Sequence, residues 1–125
     1  MIISTGIDIV EVYRIAETMT RTPRFGERVF TDSERAYCDS KGAAAAQSYA
    51  GRFAAKEAFL KALQTGWRGK ITWHDIEIRS DGEGVPTLHI SGEASDLFKN
   101  SGATRMHLSI SHTSEHAVAQ VIFEK

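Results

Sequence analysis

Two acidic residues stand in apolar surroundings far apart in the chain. Asp8 lies in Gly6-Ile7-Asp8-Ile9-Val10, and Glu57 lies in Arg52-Phe53-Ala54-Ala55-Lys56-Glu57-Ala58-Phe59-Leu60-Lys61. A carboxylate in an apolar strand is costly unless a metal, a cation or hydrogen bonds accept it. Two carboxylates can hold a hard cation, and basic groups beside them can hold phosphates that the cation bridges. Each acid also has a plainer use. Asp8 precedes a helix whose N-terminus favours an anion. Glu57 and Lys61 have the ordinary i,i+4 helical spacing, worth about 0.2–0.5 kcal/mol. Glu57 is set apart by its company, since Arg52, Lys56 and Lys61 are interleaved with Phe53, Ala54, Ala58 and Leu63. A purely solvated helix face would not need so many cations beside such apolar groups.

Other polar residues carry weaker signals. His112 ends the alternating run Leu108-Ser109-Ile110-Ser111-His112-Thr113. It reads either as a surface histidine at a turn or, with the neighbouring hydroxyls, as a group suited to phosphate or ribose. His74, His89, His107 and His116 lack the spacing of zinc ligands. Arg14 and Arg21 are seven apart, so on one helix they share a face, with Arg24 just beyond. That is a solvated basic face or a docking surface for an acidic partner. Gly82 and Gly84 make no phosphate-binding fingerprint.

The elements that must position these groups follow from periodicity. Ile2 to Val10 reads as a strand with Ile3, Ile7 and Ile9 on one face and Asp8 on the other. A helix from Glu11 to about Thr20 carries Val12, Ile15, Ala16 and Met19 as its apolar stripe. Thr22-Pro23-Arg24 ends it. Thr31-Asp32-Ser33-Glu34 has capping-box spacing and should start a second short helix running past Tyr37. Ser40 to Ala46 is ambiguous. Ala50 to about Leu63, rich in Ala, Leu, Lys and Glu, is the strongest helix, with Gly66 as its stop. Strands follow at Ile71–Ile78, Thr87–Ser91, Met106–Ser111 and Ala117–Phe123, with a turn at 80–84 and a short helix from Glu93 to Asn100 ahead of Gly102. Helices early and strands late imply an α+β fold, a mainly antiparallel sheet packed on helices.

The chain has 125 residues and a formal net charge of -1, so one domain spanning 1–125 is expected, with no global attraction to nucleic acid or membrane. One cysteine, Cys38, excludes an internal disulfide and has no histidine nearby in sequence to activate it. No run approaches a membrane span, and the N-terminus has no basic leader region, so a cytoplasmic protein is expected.

Three segments in order resemble the holo-[acyl carrier protein] synthase family, the short 4'-phosphopantetheinyl transferases. They are Gly6–Arg14, Gly51–Ala62 and Leu108–Thr113, supported by Phe30-Thr31 with Glu34, Asp75–Ile78 and Gly84-Val85-Pro86. The resemblance implies the 4'-phosphopantetheinyl transferase fold. It also implies transfer of 4'-phosphopantetheine from coenzyme A to a serine of apo acyl carrier protein, in support of fatty acid biosynthesis. The other product is adenosine 3',5'-bisphosphate. Asp8 and Glu57 would bind Mg²⁺, and Glu57 would serve as base, directly or through water. Lys61 would stabilise charge on the diphosphate. Arg52, His112, Thr113 and the Gly84–Pro86 turn would hold the nucleotide. Arg14, Arg21 and Arg24 would dock the acidic carrier protein. A homotrimer with sites between subunits is implied as well. Attack at phosphorus needs charge neutralisation and positioning more than a covalent residue. Two features depart from the family pattern: Ser4 replaces a common glycine, and the Ala-rich 40–48 stretch keeps Lys41 as its only charge. A binding module that kept only the docking helix would not need Asp8, Glu57 and Lys61. A metal-dependent hydrolase would want more acids than these two.

Overall fold

The computed structural model describes residues 1–65 and 70–125. The elements are β1 (Ile2–Glu11), α1 (Val12–Arg21), α2 (Pro23–Val29), α3 (Asp32–Asp39), α4 (Ala45–Leu63), β2 (Ile76–Ser80), β3 (Pro86–Ile90), α5 (Gly92–Asn100), β4 (Arg105–His112) and β5 (His116–Glu124). Strands β1, β5 and β4 form an antiparallel sheet in that order, and β2 and β3 form a separate antiparallel pair. The expected α+β class with antiparallel pairing is borne out.

Helix α4 is the spine. Thirteen of its 19 residues are buried, so it has no single apolar stripe. Its alanines lie against the small inner residues of β5, Ala117 and Ala119, and beside Val121 and Phe123. Small residues let helix and sheet approach closely. The approach is tight at Gly6 on β1, where an added Cβ would lie 2.0 Å from the Ala58 carbonyl oxygen and 2.7 Å from the Ala62 nitrogen. Ser4, the departure noted above, donates its hydroxyl to the Ala62 carbonyl at 2.6 Å and ties β1 to the last turn of α4.

The structure corrects several boundaries. Pro23 does not simply end the first helix; it occupies the first turn of α2, where a missing N–H costs nothing. The ambiguous Ala-rich stretch is a 3₁₀ turn at Gly42–Ala44 leading into α4, which therefore starts at Ala45 rather than Ala50. Residues 71–75 are not strand. Thr72 and Asp75 form a capping box around a 3₁₀ turn at Trp73–Asp75, and β2 begins only at Ile76. Gly66 lies outside the described residues; the helix ends at Gln64, which adopts a left-handed conformation with φ of 62°. Ile3 does not share a face with Ile7 and Ile9. The pairing register of β1 shifts between Ile2 and Ser4, which turns Ile3 into the core. Ile7 and Ile9 stay exposed, at 59% and 65%, on the face opposite α4.

The capping box at Thr31 forms in both halves. Its Glu34 does more than cap. The carboxylate is buried, 2.8 Å from Lys56 Nζ, and accepts from Thr31 N and Ile78 N. Lys56 gives its other hydrogens to the carbonyls of Trp73 and Ile76, at 3.0 and 2.7 Å.

Candidate active site

Gly6 brings β1 against α4, and this places Asp8 beside Glu57 and Lys61. Lys61 Nζ lies 2.9 Å from Asp8 Oδ1 and 3.0 Å from the Ile7 carbonyl. Burial pushes the Glu57 carboxyl above the usual glutamate range, and the charge of Asp8 pushes it further, while Lys61 pulls it back. A carboxylate whose proton affinity is raised by burial and by a second carboxylate beside it is relieved when a cation binds between them. Among the described residues no group of three or more His, Cys, Asp or Glu converges, so any metal here would keep open positions for substrate oxygens. The donor set of two carboxylates fits Mg²⁺.

A second group of predicted residues meets elsewhere. Arg52, Gly84, Pro86 and His112 line one cleft of about 300 Å³. Arg52 is 5% exposed. One guanidinium nitrogen donates to Ser80 Oγ at 2.8 Å, the carbon sits 4.0 Å from the centre of the Tyr37 ring, and Nε has no partner among the described residues. Lys41 Nζ lies 4.5 Å from the same ring. Hydrogen bonding to Ser80 lowers the Tyr37 phenol below the usual tyrosine range against the effect of burial, and Lys41 and Arg52 lower it further. His112 Nδ1 is held 2.9 Å from Gln47 Oε1. The Ala-rich departure leaves Ala44 on the cleft wall. A buried guanidinium with a lysine, a phenol and hydroxyls suits a phosphorylated, aromatic ligand.

Several expected residues fall otherwise. Lys56, grouped with the site cations in the sequence, is buried in the Glu34 pair and faces neither site. The Thr113 hydroxyl is used in the β4–β5 turn, where it accepts from the Glu115 and His116 amides. Arg14 and Arg21 are exposed on α1 and pair with Glu11 and Glu17 of their own surroundings; Arg24 is exposed on α2. Arg14 also borders a groove with Ile15 and Phe53. Tyr37 and Ser80 escaped the sequence analysis, although Tyr37 sits three residues after the capping-box Glu34, on the same side of α3.

The two groups line different clefts. Asp8 is on β1 and His112 on β4, the opposite edges of the three-stranded sheet, with β5 between them. On α4, Arg52 and Glu57 are five residues apart, which turns their side chains about 140° away from each other. The Asp8–Lys61 side opens instead toward exposed Ile7 and Ile9 and half-buried Val118.

Comparison with known proteins identifies the frame. Residues 4–121 match the family model of the 4'-phosphopantetheinyl transferase superfamily. The holo-[acyl-carrier-protein] synthase of Koribacter versatilis is 50% identical over 125 residues, covering 99% of each chain. That of Geobacter metallireducens is 46% identical, covering 100% of this chain and 99% of its own. Among solved structures, the Bacillus anthracis synthase in complex with coenzyme A (3',5'-ADP) is 42% identical with a TM-score of 0.80, covering 99% of this chain and 97% of its own. The Neisseria meningitidis synthase is 35% identical with a TM-score of 0.86 over the whole of both chains. With the fold, the paired carboxylates and the cationic cleft all present over its full length, this chain belongs to the 4'-phosphopantetheinyl transferase superfamily.

Proposed function

We propose that this enzyme transfers 4'-phosphopantetheine from coenzyme A to a serine hydroxyl of an apo acyl carrier protein. A serine oxygen–phosphorus bond forms and the diphosphate bond of coenzyme A breaks. Adenosine 3',5'-bisphosphate leaves and the serine proton goes to a base. The observation that carries this reading is the presence, on one chain, of an acidic corner with a lysine and a separate cationic cleft for a nucleotide.

Asp8 and Glu57 would hold Mg²⁺, which would supply charge neutralisation on the diphosphate. Glu57, with its raised proton affinity, takes the serine proton, directly or through a water. Lys61 moves charge from Asp8 toward the diphosphate oxygens as they become more negative. Arg52, His112 and the Gly84–Pro86 turn hold the nucleotide, with Thr113 supporting the β4 end. Arg14, Arg21 and Arg24 face an acidic carrier protein, and the groove beside Arg14 gives that partner an apolar foothold.

The acidic corner at the β1 edge and the cleft at the β4 edge are complementary halves of one site. A head-to-tail ring sets the β4 edge of one copy against the β1 edge of the next and completes a site at each junction. A homotrimer with interfacial sites is supported by this separation and by the exposed Ile7 and Ile9, which need cover. Residues 1–125 act as one domain. Among the described residues no helix is long and apolar enough to cross a membrane. Service to fatty acid synthesis in the cytoplasm is the setting that fits this substrate pair.

The test is the intact mass of a purified apo acyl carrier protein after incubation with this enzyme, coenzyme A and Mg²⁺. A gain of one phosphopantetheine, abolished by a chelator, is expected. No gain with several carrier proteins, from a folded enzyme, would overturn the reading.

A further inference from the structure

Three residues in the nucleotide cleft each stand one structural repeat from a member of the buried charge cluster. Tyr37 follows Glu34 by three residues on α3, Arg52 precedes Lys56 by four on α4, and Ser80 follows Ile78 by two on β2. Those spacings keep each pair on one face of its element. The inner layer is joined by Glu34 to Lys56 at 2.8 Å and Glu34 to Ile78 N at 2.8 Å. The outer layer is joined by Arg52 to Ser80 at 2.8 Å and by Arg52 against the Tyr37 ring at 4.0 Å. The cleft therefore repeats the geometry of the layer beneath it.

The inner layer has a single arrangement. Lys56 has three hydrogens and three acceptors: Glu34, Trp73 O and Ile76 O. Glu34 accepts from Lys56, Thr31 N and Ile78 N. Both side chains are fully buried. A charge pair of this kind contributes little net stability over an apolar pair of the same volume, but its bonds are directional. Packing alone would tolerate a sliding of α3 or β2 along α4 that these bonds forbid.

We infer that Glu34 and Lys56 are positioning residues for coenzyme A, fixing α3 and β2 on α4 so that Tyr37, Arg52 and Ser80 meet at the nucleotide cleft. This rests on the reading that coenzyme A occupies that cleft. Neither residue touches the substrate. Their effect falls on nucleotide binding and spares the carrier-protein surface on α1, since the pair's hydrogen bonds run to Thr31, Trp73, Ile76 and Ile78.

The experiment compares the wild type with the double variant Glu34→Leu/Lys56→Met, which removes both charges at similar volume, and with Glu34→Asp, which keeps the charge and shortens its reach. Thermal unfolding establishes that each is folded. Calorimetric titration with coenzyme A then gives its Kd, and kinetics give KM for each substrate. The double variant is expected to bind coenzyme A about tenfold more weakly or worse. Its KM for coenzyme A should rise in step, with kcat and the KM for carrier protein within about twofold of wild type. Glu34→Asp should show the same pattern at smaller size. A folded double variant with wild-type affinity would overturn the inference, as would a uniform loss across kcat and both KM values. Should the double variant fail to fold, unchanged coenzyme A affinity in Glu34→Asp would overturn it equally. Wild-type protein that does not bind coenzyme A would remove the reading of the cleft and this inference together; a wild type that binds, with indifferent variants, would remove only the inference.

Discussion

Lys61 reaches from the last turn of α4 to Asp8 on β1, 2.9 Å from Nζ to Oδ1, and also donates to the Ile7 carbonyl at 3.0 Å. The contact spans 53 residues of sequence and ties the acidic corner to the last turn of α4. It depends on β1 lying almost against the helix backbone, and that depends on Gly6.

Gly6→Ala tests this dependence. Its Cβ would fall 2.0 Å from a backbone oxygen, where no side chain can yield. Overpacking of this kind is expected to cost about 3 kcal/mol or more, at the upper end of such changes. Chemical denaturation would measure it. A variant as stable as wild type would mean that β1 and α4 do not approach as described.

Glu57→Gln should leave the fold intact and lower kcat by about 10²–10⁴-fold, the range for losing a positioned proton acceptor. Intact-mass kinetics on carrier protein would read it. Near-normal turnover would remove Glu57 from both the metal and the base assignments.

The raised proton affinity of Glu57 has a definite sign in stability. Its folded pKa lies above the unfolded value, so the folded state favours the protonated form. Stability from this group is full below the unfolded value near 4.5 and is lost as pH rises through the folded pKa. At neutral pH and without metal the ionised carboxylate opposes folding. Metal-free Glu57→Gln should therefore melt above wild type at neutral pH, and the gap should close on acidification. A gap that is constant with pH would contradict the shift.

Placement of the two half-sites on opposite sheet edges predicts complementation. Glu57→Gln and His112→Ala proteins should each be impaired, and mixing them under conditions that exchange subunits should recover activity. Random assortment leaves about a quarter of the junctions with both halves intact. No recovery from subunits shown to exchange would refute an interfacial site, as would full activity in a monomer.

Charge reversal at Arg14 and Arg21 should raise KM for carrier protein and leave KM for coenzyme A unchanged. Both side chains are largely exposed and pair with acids of their own vicinity, so their removal should cost little stability. The effect should shrink as salt is raised, because the attraction is screened. Equal effects on both substrates would count against a docking face.

The local signals in the sequence were strong wherever one element decides the outcome. The Thr31–Glu34 capping box formed as its spacing requires, because both partners lie within one helical turn. The core of α4 followed from composition, and Asp8, Glu57 and Lys61 were identifiable from their odd chemical company. Long-range relations were not legible. Nothing in the local pattern separates Lys56, fully buried against Glu34, from Lys61, half-exposed beside Asp8, since both are lysines on one basic helix; only the packing of α3 and β2 over one side decides which is internal. The outward turn of Ile7 and Ile9 depends on which side of the sheet α4 covers and on the register shift between Ile2 and Ser4. The separation of the carboxylate corner from the cationic cleft depends on strand order, which places β5 between β1 and β4. Sequence alone determined the chemical groups and the helices that carry them, because those rest on neighbours a turn away. Tertiary structure decided which groups meet, because burial and strand order are set by contacts between residues distant in the chain.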